Sequence, residues 1–120
     1  MNANGPLLRI VTKTIFPVSE MPEAVAFYRR LGFDVEEFDE AYALVKHDDE
    51  EILHLRLVPR LDVASNEAAG YFHVEDADSW HGLWTKGDLA PGVIEDRPWG
   101  MREFSVTDPS GNLIRVGHNI

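Results

Sequence analysis

One segment constrains the fold of this chain more than any other. Residues 98–113 read Pro98-Trp99-Gly100-Met101-Arg102-Glu103-Phe104-Ser105-Val106-Thr107-Asp108-Pro109-Ser110-Gly111-Asn112-Leu113. That is an aromatic anchor, a strand, a tight turn and the start of another strand. Proline fixes φ and glycine admits positive φ, so Asp108 to Asn112 carries its stiff and permissive residues where a tight turn needs them. A related turn and strand occur half a chain earlier, from Asp48 to Leu53, with different chemistry. A doubled supersecondary unit enclosing a cleft is the expectation.

The rest of the chain supplies the remaining elements. Alternation from Leu8 to Ile15 predicts a strand over residues 8–17. Ser19 and Glu20 open a helix with Pro22 in its first turn, where a missing N–H costs little. Ala24, Phe27, Tyr28 and Leu31 share one face of it, and Gly32 caps its end. Strands are expected near 33–38, 41–46 and 51–58, followed by a polar, proline-interrupted linker over 59–67. A second strand-helix pair follows at 69–74 and from Asp76 to Gly87, with Trp80, Leu83 and Trp84 facing inward. The two tryptophans are expected in the core. Strands near 92–95, 101–107 and 112–118 complete the chain. An offset of 56 lays Val18 on Val74, Glu20 on Asp76 and Tyr28 on Trp84; an offset of 60 lays Asp48 on Asp108 and Leu53 on Leu113.

Composition removes several classes of function. The chain has 120 residues, is 44% hydrophobic and contains no cysteine, which allows a packed core and excludes disulfides and thiolate chemistry. A net charge of -10 argues against nucleic acid, whose affinity rests on phosphate neutralisation. It suits a cationic ligand, or serves solubility alone. No apolar run approaches the roughly 20 residues of a membrane span. Met1 to Pro6 lacks a basic-then-apolar leader pattern, so a cytoplasmic setting is the expectation.

Two separated motifs carry a family resemblance. Val18-Ser19-Glu20 with Ala26-Phe27-Tyr28-Arg29-Arg30-Leu31-Gly32-Phe33 resembles the first helix signature of the vicinal-oxygen-chelate superfamily, and Asp108 to Ile114 resembles its closing hairpin. Pro98-Trp99-Gly100 before Arg102-Glu103-Phe104 looks most like the bleomycin resistance proteins. The resemblance implies an α+β fold of two tandem βαβββ modules forming a cup-shaped sheet. The modules would span about 8–58 and 68–120 of one glyoxalase-like domain. It also implies a homodimer and one of two activities, metal-dependent lyase or dioxygenase chemistry, or drug sequestration.

Counting from the motifs decides between those activities at the sequence level. The superfamily's metal positions fall on Lys13, Ala69, Leu55 and Arg115, a set that makes no hard-metal site. His54 adjoins one position, and a one-residue slip turns a side chain to the other face. Convergence of His54, His73 and His118 is the only alternative donor set, and no HxH or HxxxH spacing supports it. No nucleophile elbow, phosphate loop or paired carboxylate in an apolar run is present. The expectation is therefore no metal, no cofactor and no catalytic residue.

A binding protein needs aromatic faces with acid nearby, since a cation over a ring gains roughly 0.5–2 kcal/mol. Trp99 sits beside proline and glycine and reads either as a cleft anchor or as a core tryptophan. Tyr42 falls where the resemblance implies a cleft aromatic, and Phe38 and Tyr71 are further candidates with strand packing as the alternative. Glu37 and Asp39, with Glu40, form the candidate acidic rim, and Arg102 the candidate ion-pair partner. The expected ligand is a cationic aromatic glycopeptide antibiotic, held in two equivalent clefts where subunits meet. A sibling binder of another aromatic antibiotic and a metal enzyme with displaced ligands are the rival readings.

Overall fold

The computed structural model describes residues 6–120; the segment from Met1 to Gly5, on which the reading about a leader rests, lies outside the described residues. In chain order the elements are β1 (Thr14–Val18), α1 (Met21–Arg30), β2 (Asp34–Asp39), β3 (Tyr42–His47), β4 (Glu50–Leu57), β5 (Ala69–His73), α2 (Ala77–Lys86), β6 (Glu95–Arg97), β7 (Met101–Thr107) and β8 (Leu113–Asn119). They form two four-stranded sheets of the same order, β1-β4-β3-β2 and β5-β8-β7-β6. In each, the first strand runs parallel to the last and the other pairings are antiparallel. The fold is thus α+β with two βαβββ units. Among the described residues no helix is long and apolar enough to cross a membrane.

Local chemistry explains both helices. Helix α1 opens with proline in its first turn and ends at Gly32, whose φ of +101° only glycine adopts without strain. There the Gly32 and Phe33 amides donate back to the carbonyls of Arg29 and Tyr28. The Asp76 carboxylate caps α2 by accepting from the Ser79 amide at 3.2 Å. Strand alternation sends Phe16, Val18, Ala43, Val45, Leu53 and Leu55 into the core under α1, and Phe104, Val106, Ile114 and Val116 under α2. Among the described residues, the opposite face of each sheet carries no α-helix.

Four expectations need correction. The first strand begins at Thr14, not residue 8, because its ladder starts at Thr14 opposite Leu53; Leu8, Ile10 and Val11 lie exposed. The short strand expected at 92–95 is Glu95–Arg97, displaced by the left-handed turns at Asp88 and Ala90. Leu83 is 56% exposed, whereas Trp84 is buried and its indole N–H donates to the Leu31 carbonyl at 2.9 Å. That bond joins the end of α1 to α2. Phe27 is only partly buried.

Asp108, Ser110 and Asn112 of the turn are buried, and they fasten the two units together. Asp108 Oδ1 accepts from the amides of Ser110 and Asn112, while Oδ2 accepts from the Tyr28 hydroxyl at 2.6 Å and from Asn112 Nδ2. Asn112 Nδ2 also donates to the Pro17 carbonyl, and Ser110 Oγ accepts from the Ser19 amide. Asn66, on the connection between the units, donates to Asn112 Oδ1 and the Ser110 carbonyl. Gly111 has φ +88°, and a Cβ there would lie 2.6 Å from the Val63 carbonyl oxygen. Burial and the Asp108 charge hold the Tyr28 phenol well above its ordinary pKa.

Asp108→Ala leaves a buried phenol, an amide and two backbone N–H groups without their acceptor. Each stranded group costs about 1–3 kcal/mol, so a loss of at least 3 kcal/mol is expected in urea unfolding. The folded-state pKa of Tyr28 is raised, so its contribution is intact below the unfolded value of about 10 and is lost as pH rises beyond it. Tyr28→Phe therefore shows a shallower alkaline loss of stability than the parent chain.

Candidate functional site

The helix-free face of the second sheet holds a polar cluster built around Glu103. Strand β7 alternates, so Phe104 enters the core and Glu103 turns to the open face. Glu103 is nevertheless 1% exposed, because neighbouring side chains roof it. Tyr71 on β5 leans across β8 and donates its hydroxyl to Glu103 Oε2 at 2.8 Å. The crossing requires Gly117: a Cβ there would lie 2.2 Å from the Tyr71 hydroxyl oxygen. Arg97 Nε and Arg115 Nε stand 3.7 and 3.9 Å from Glu103 Oε1, which accepts no hydrogen bond, and the buried Arg97 Nε donates none. Burial, followed by the hydrogen bond and charge of Glu103, pushes the Tyr71 phenol up to about 12.

Trp99 sits at the rim of this face. It lies in the turn between β6 and β7, followed by Gly100 at φ +85°, and is 62% exposed. The Arg97 guanidinium stands over its ring at 5.9 Å from the centroid. Trp99 is therefore a surface ring, not a core tryptophan.

The open face of the first sheet holds a different chain of groups. Tyr42 on β3 lies opposite Arg56 of β4. Its hydroxyl is 2.8 Å from His54 Nδ1, and His54 Nε2 is 2.7 Å from Glu51 Oε1. Phe38 is 74% exposed at the bulge in β2. Asp39 accepts from the Ala41 amide within the β2–β3 turn. Glu37 pairs with Arg29 of α1 at 3.6 Å, and so belongs to the helix side of the sheet. Arg102 is likewise on the helix side, held by Asp78 at the start of α2 and by Asp96 of β6. Trp99 and Tyr71 thus share one sheet, Tyr42, Phe38 and Asp39 the other, while Glu37 and Arg102 point away from both open faces.

Trp80 and Trp84, expected in the core, line a cavity of about 270 Å³ between the units, together with Phe33, His47, Phe72 and His73. Trp84 is buried; Trp80 is partly buried, with its ring 5.8 Å from Phe33 and 5.3 Å from His47. The volume falls below that of ordinary drug pockets, about 300–1,000 Å³.

Strand register revises the metal positions. Thr14 pairs with Leu53 and its repeat mate Gly70 pairs with Ile114, so the strand offset is 61, one more than the turns suggested. A bulge between Val45 and Lys46 accompanies this slip. The mate of Arg115 is therefore His54, and Leu55 is a core residue. Lys13, Ala69, Arg115 and His54 still offer a metal one donor, and both ring nitrogens of His54 are engaged. The three histidines do not converge: His118 Nδ1 accepts from the Ala77 amide at the start of α2, on the far side of the second sheet. These residues do not fit the superfamily's metal.

Comparison with known proteins agrees with this architecture. The family model described as Glyoxalase/Bleomycin resistance protein/Dioxygenase superfamily matches residues 10–116. Among solved structures, a bleomycin resistance determinant encoded on transposon Tn5 superposes with TM-score 0.85 at 20% identity, covering 92% of this chain and 98% of that one. A bleomycin-binding protein complexed with bleomycin gives 0.84 at 20% identity, covering 93% and 100%. The bleomycin-binding protein of bleomycin-producing Streptomyces verticillus, complexed with copper(II)-bleomycin, gives 0.75 at 27% identity, covering 90% and 94%. No curated protein sequence matches the chain.

Sequence reading passed over Glu103, Arg97, Gly117 and the His54–Glu51 pair. The parity of β7 opposite Phe104 was the available signal for Glu103. Glu103→Gln keeps the side chain's shape and removes its charge. The Tyr71 ionisation then falls below about 12 yet stays above the ordinary phenol value, because burial is the larger cause. Phenolate absorbance against pH, with Tyr71→Phe to assign the step, checks it. Gly117→Ala drives Tyr71 off Glu103 and is expected to cost about 1–3 kcal/mol in the same unfolding assay.

Proposed function

The chain belongs to the glyoxalase/bleomycin resistance protein/dioxygenase superfamily, and on that premise we propose that it sequesters a bleomycin-type antibiotic stoichiometrically, without modifying it. The observation that carries this reading is Trp99: an indole 62% exposed at the rim of a helix-free sheet face, already attractive to a guanidinium. Planar heteroaromatic rings stack on such a surface, and exposed aromatics rimmed by polar groups mark recognition sites. The acidic surplus, net -10, favours the positive tail of such a drug. Solved structures of similar fold carry names of bleomycin-binding proteins.

The proposed site spans two copies of the chain. Trp99 and Tyr71 lie on one sheet, Tyr42 and Phe38 on the other. A two-fold axis that sets the first sheet's open face against the second sheet's open face of a partner completes two equivalent clefts at once. The drug's flat rings would then lie between Trp99 of one protomer and Tyr42 of its partner. Because the positions of the superfamily's metal offer a single imidazole, the proposal assigns no chemical step to the bound ligand.

Titration with metal-free and copper-loaded bleomycin is expected to quench tryptophan fluorescence saturably, at one drug per chain. Trp99→Ala should remove most of the quenching and weaken binding about ten-fold, the equivalent of one lost stacking contact. Absence of saturable binding by both forms of the drug refutes the proposal. Near-stoichiometric metal in purified protein, lost with a measurable activity on chelation, supports the enzyme reading instead.

A further inference from the structure

We infer that Glu51 and His54 fix Tyr42 as a hydrogen-bond acceptor toward the open face of the first sheet, so that its hydroxyl oxygen takes a protonated amine of the ligand and cannot donate to a carboxylate. The inference rests on the proposal that this face receives a ligand, and names the group it receives there.

Glu51 stands 2.7 Å from His54 Nε2. The hydrogen bond from His54 holds the Glu51 carboxyl below the usual carboxylate range, with Lys13 and Lys46 adding to the effect. An ionised carboxylate only accepts, so Nε2 carries a hydrogen. With the His54 imidazole taken as neutral, its single N–H is on Nε2, which leaves Nδ1 a bare lone pair. Nδ1 lies 2.8 Å from the Tyr42 oxygen, and the only proton available for that contact is the phenolic one. Tyr42 therefore donates inward and shows only lone pairs outward. At the Tyr42 oxygen a ligand ammonium finds an acceptor, whereas a carboxylate meets only lone pairs and has Arg56, paired opposite Tyr42, as its partner on this face.

The surroundings bear on this polarity. His54 is 19% exposed, so its orientation is held from several sides. The charged groups around it are Glu51 and Arg56 on its own strand, Lys46 on β3 paired to Glu36 of β2, and Lys13 ahead of β1. Ile15 of β1 and Leu44 of β3 flank it in the ladder and bring no charge. Protonation of His54 reverses the arrangement: Nδ1–H then donates to Tyr42, and the phenolic proton is free to point at the ligand. Tyr42 is the contact group; His54 and Glu51 act as positioning residues through it.

Two measurements test this on the full chain. Nitrogen NMR of the ligand-free protein is expected to show His54 as the Nε2–H tautomer at neutral pH, and Glu51→Gln to disturb that state. A His54 that is Nδ1–H or doubly protonated at neutral pH overturns the inference. Naphthylmethylammonium and naphthoate then serve as planar probes of opposite charge, followed by shifts of the Tyr42 and His54 signals. The parent chain should bind the ammonium about ten-fold more tightly, as one charge-assisted hydrogen bond gives. Tyr42→Phe should abolish that ratio. A ratio retained in Tyr42→Phe, or no saturable shift with either probe, overturns the inference. Failure of bleomycin sequestration is read separately, in the fluorescence titration, and leaves the tautomer result standing.

Discussion

A single carboxylate, Asp108, holds the two halves of the molecule in register. Its two oxygens take four donors: the amides of Ser110 and Asn112, the Tyr28 hydroxyl and Asn112 Nδ2. A charge 4% exposed is tolerable only when its acceptor capacity is filled, and here it is. Two of the donors shape the turn that starts β8. A third comes from α1 of the other unit, and Asn112 carries the bonding on to Pro17 and Asn66. Backbone, helix and connection are thus fixed by one side chain. Because β8 begins at that turn, the positions of Arg115 and Gly117 follow from it.

What the joint leaves open matters as much as what it closes. Each helix covers one face of its sheet, and the other face remains bare of helix. Each bare face carries a tyrosine whose hydroxyl is engaged by a neighbouring side chain, Tyr71 by Glu103 and Tyr42 by His54. The two tyrosines sit in chemically different settings that share one outcome, an oxygen presenting lone pairs outward. Gly117 makes the first arrangement sterically possible, and the Glu51–His54 pair orders the second.

Much of this was legible in the sequence, and the losses have physical causes. Periodicity located all the strands of the second and third rank, β2 to β5 and β7 to β8, since one buried face imposes alternation. It overextended β1, because alternation from Leu8 onward carries no information about whether a partner strand is there. The turn at Asp108 was readable as a turn from proline and glycine; its burial was not, since that depends on Tyr28, eighty positions away in sequence. The strand offset failed by one residue, enough to exchange His54 for Leu55 and change which chemistry lies on the open face of the first sheet. Arg102 looked like a site cation until its partners, Asp78 and Asp96, appeared on the helix side.

Charge and geometry divide the work of recognition in the proposed site. Several cations already face acids: Arg29 with Glu37, Lys46 with Glu36, Arg97 with Glu95, and Arg102 with Asp78 and Asp96. Such local pairing leaves the acidic surplus as a diffuse field, and exposed charges beyond a Debye length of roughly 8–10 Å are screened at ordinary salt. A diffuse field gathers any cation and accelerates its approach without telling one from another. Discrimination must come from groups at contact distance, where direction matters. The outward lone pairs of Tyr42 and Tyr71 and the exposed indole of Trp99 are such groups. Salt is therefore expected to slow association while leaving the preference among bound ligands largely intact.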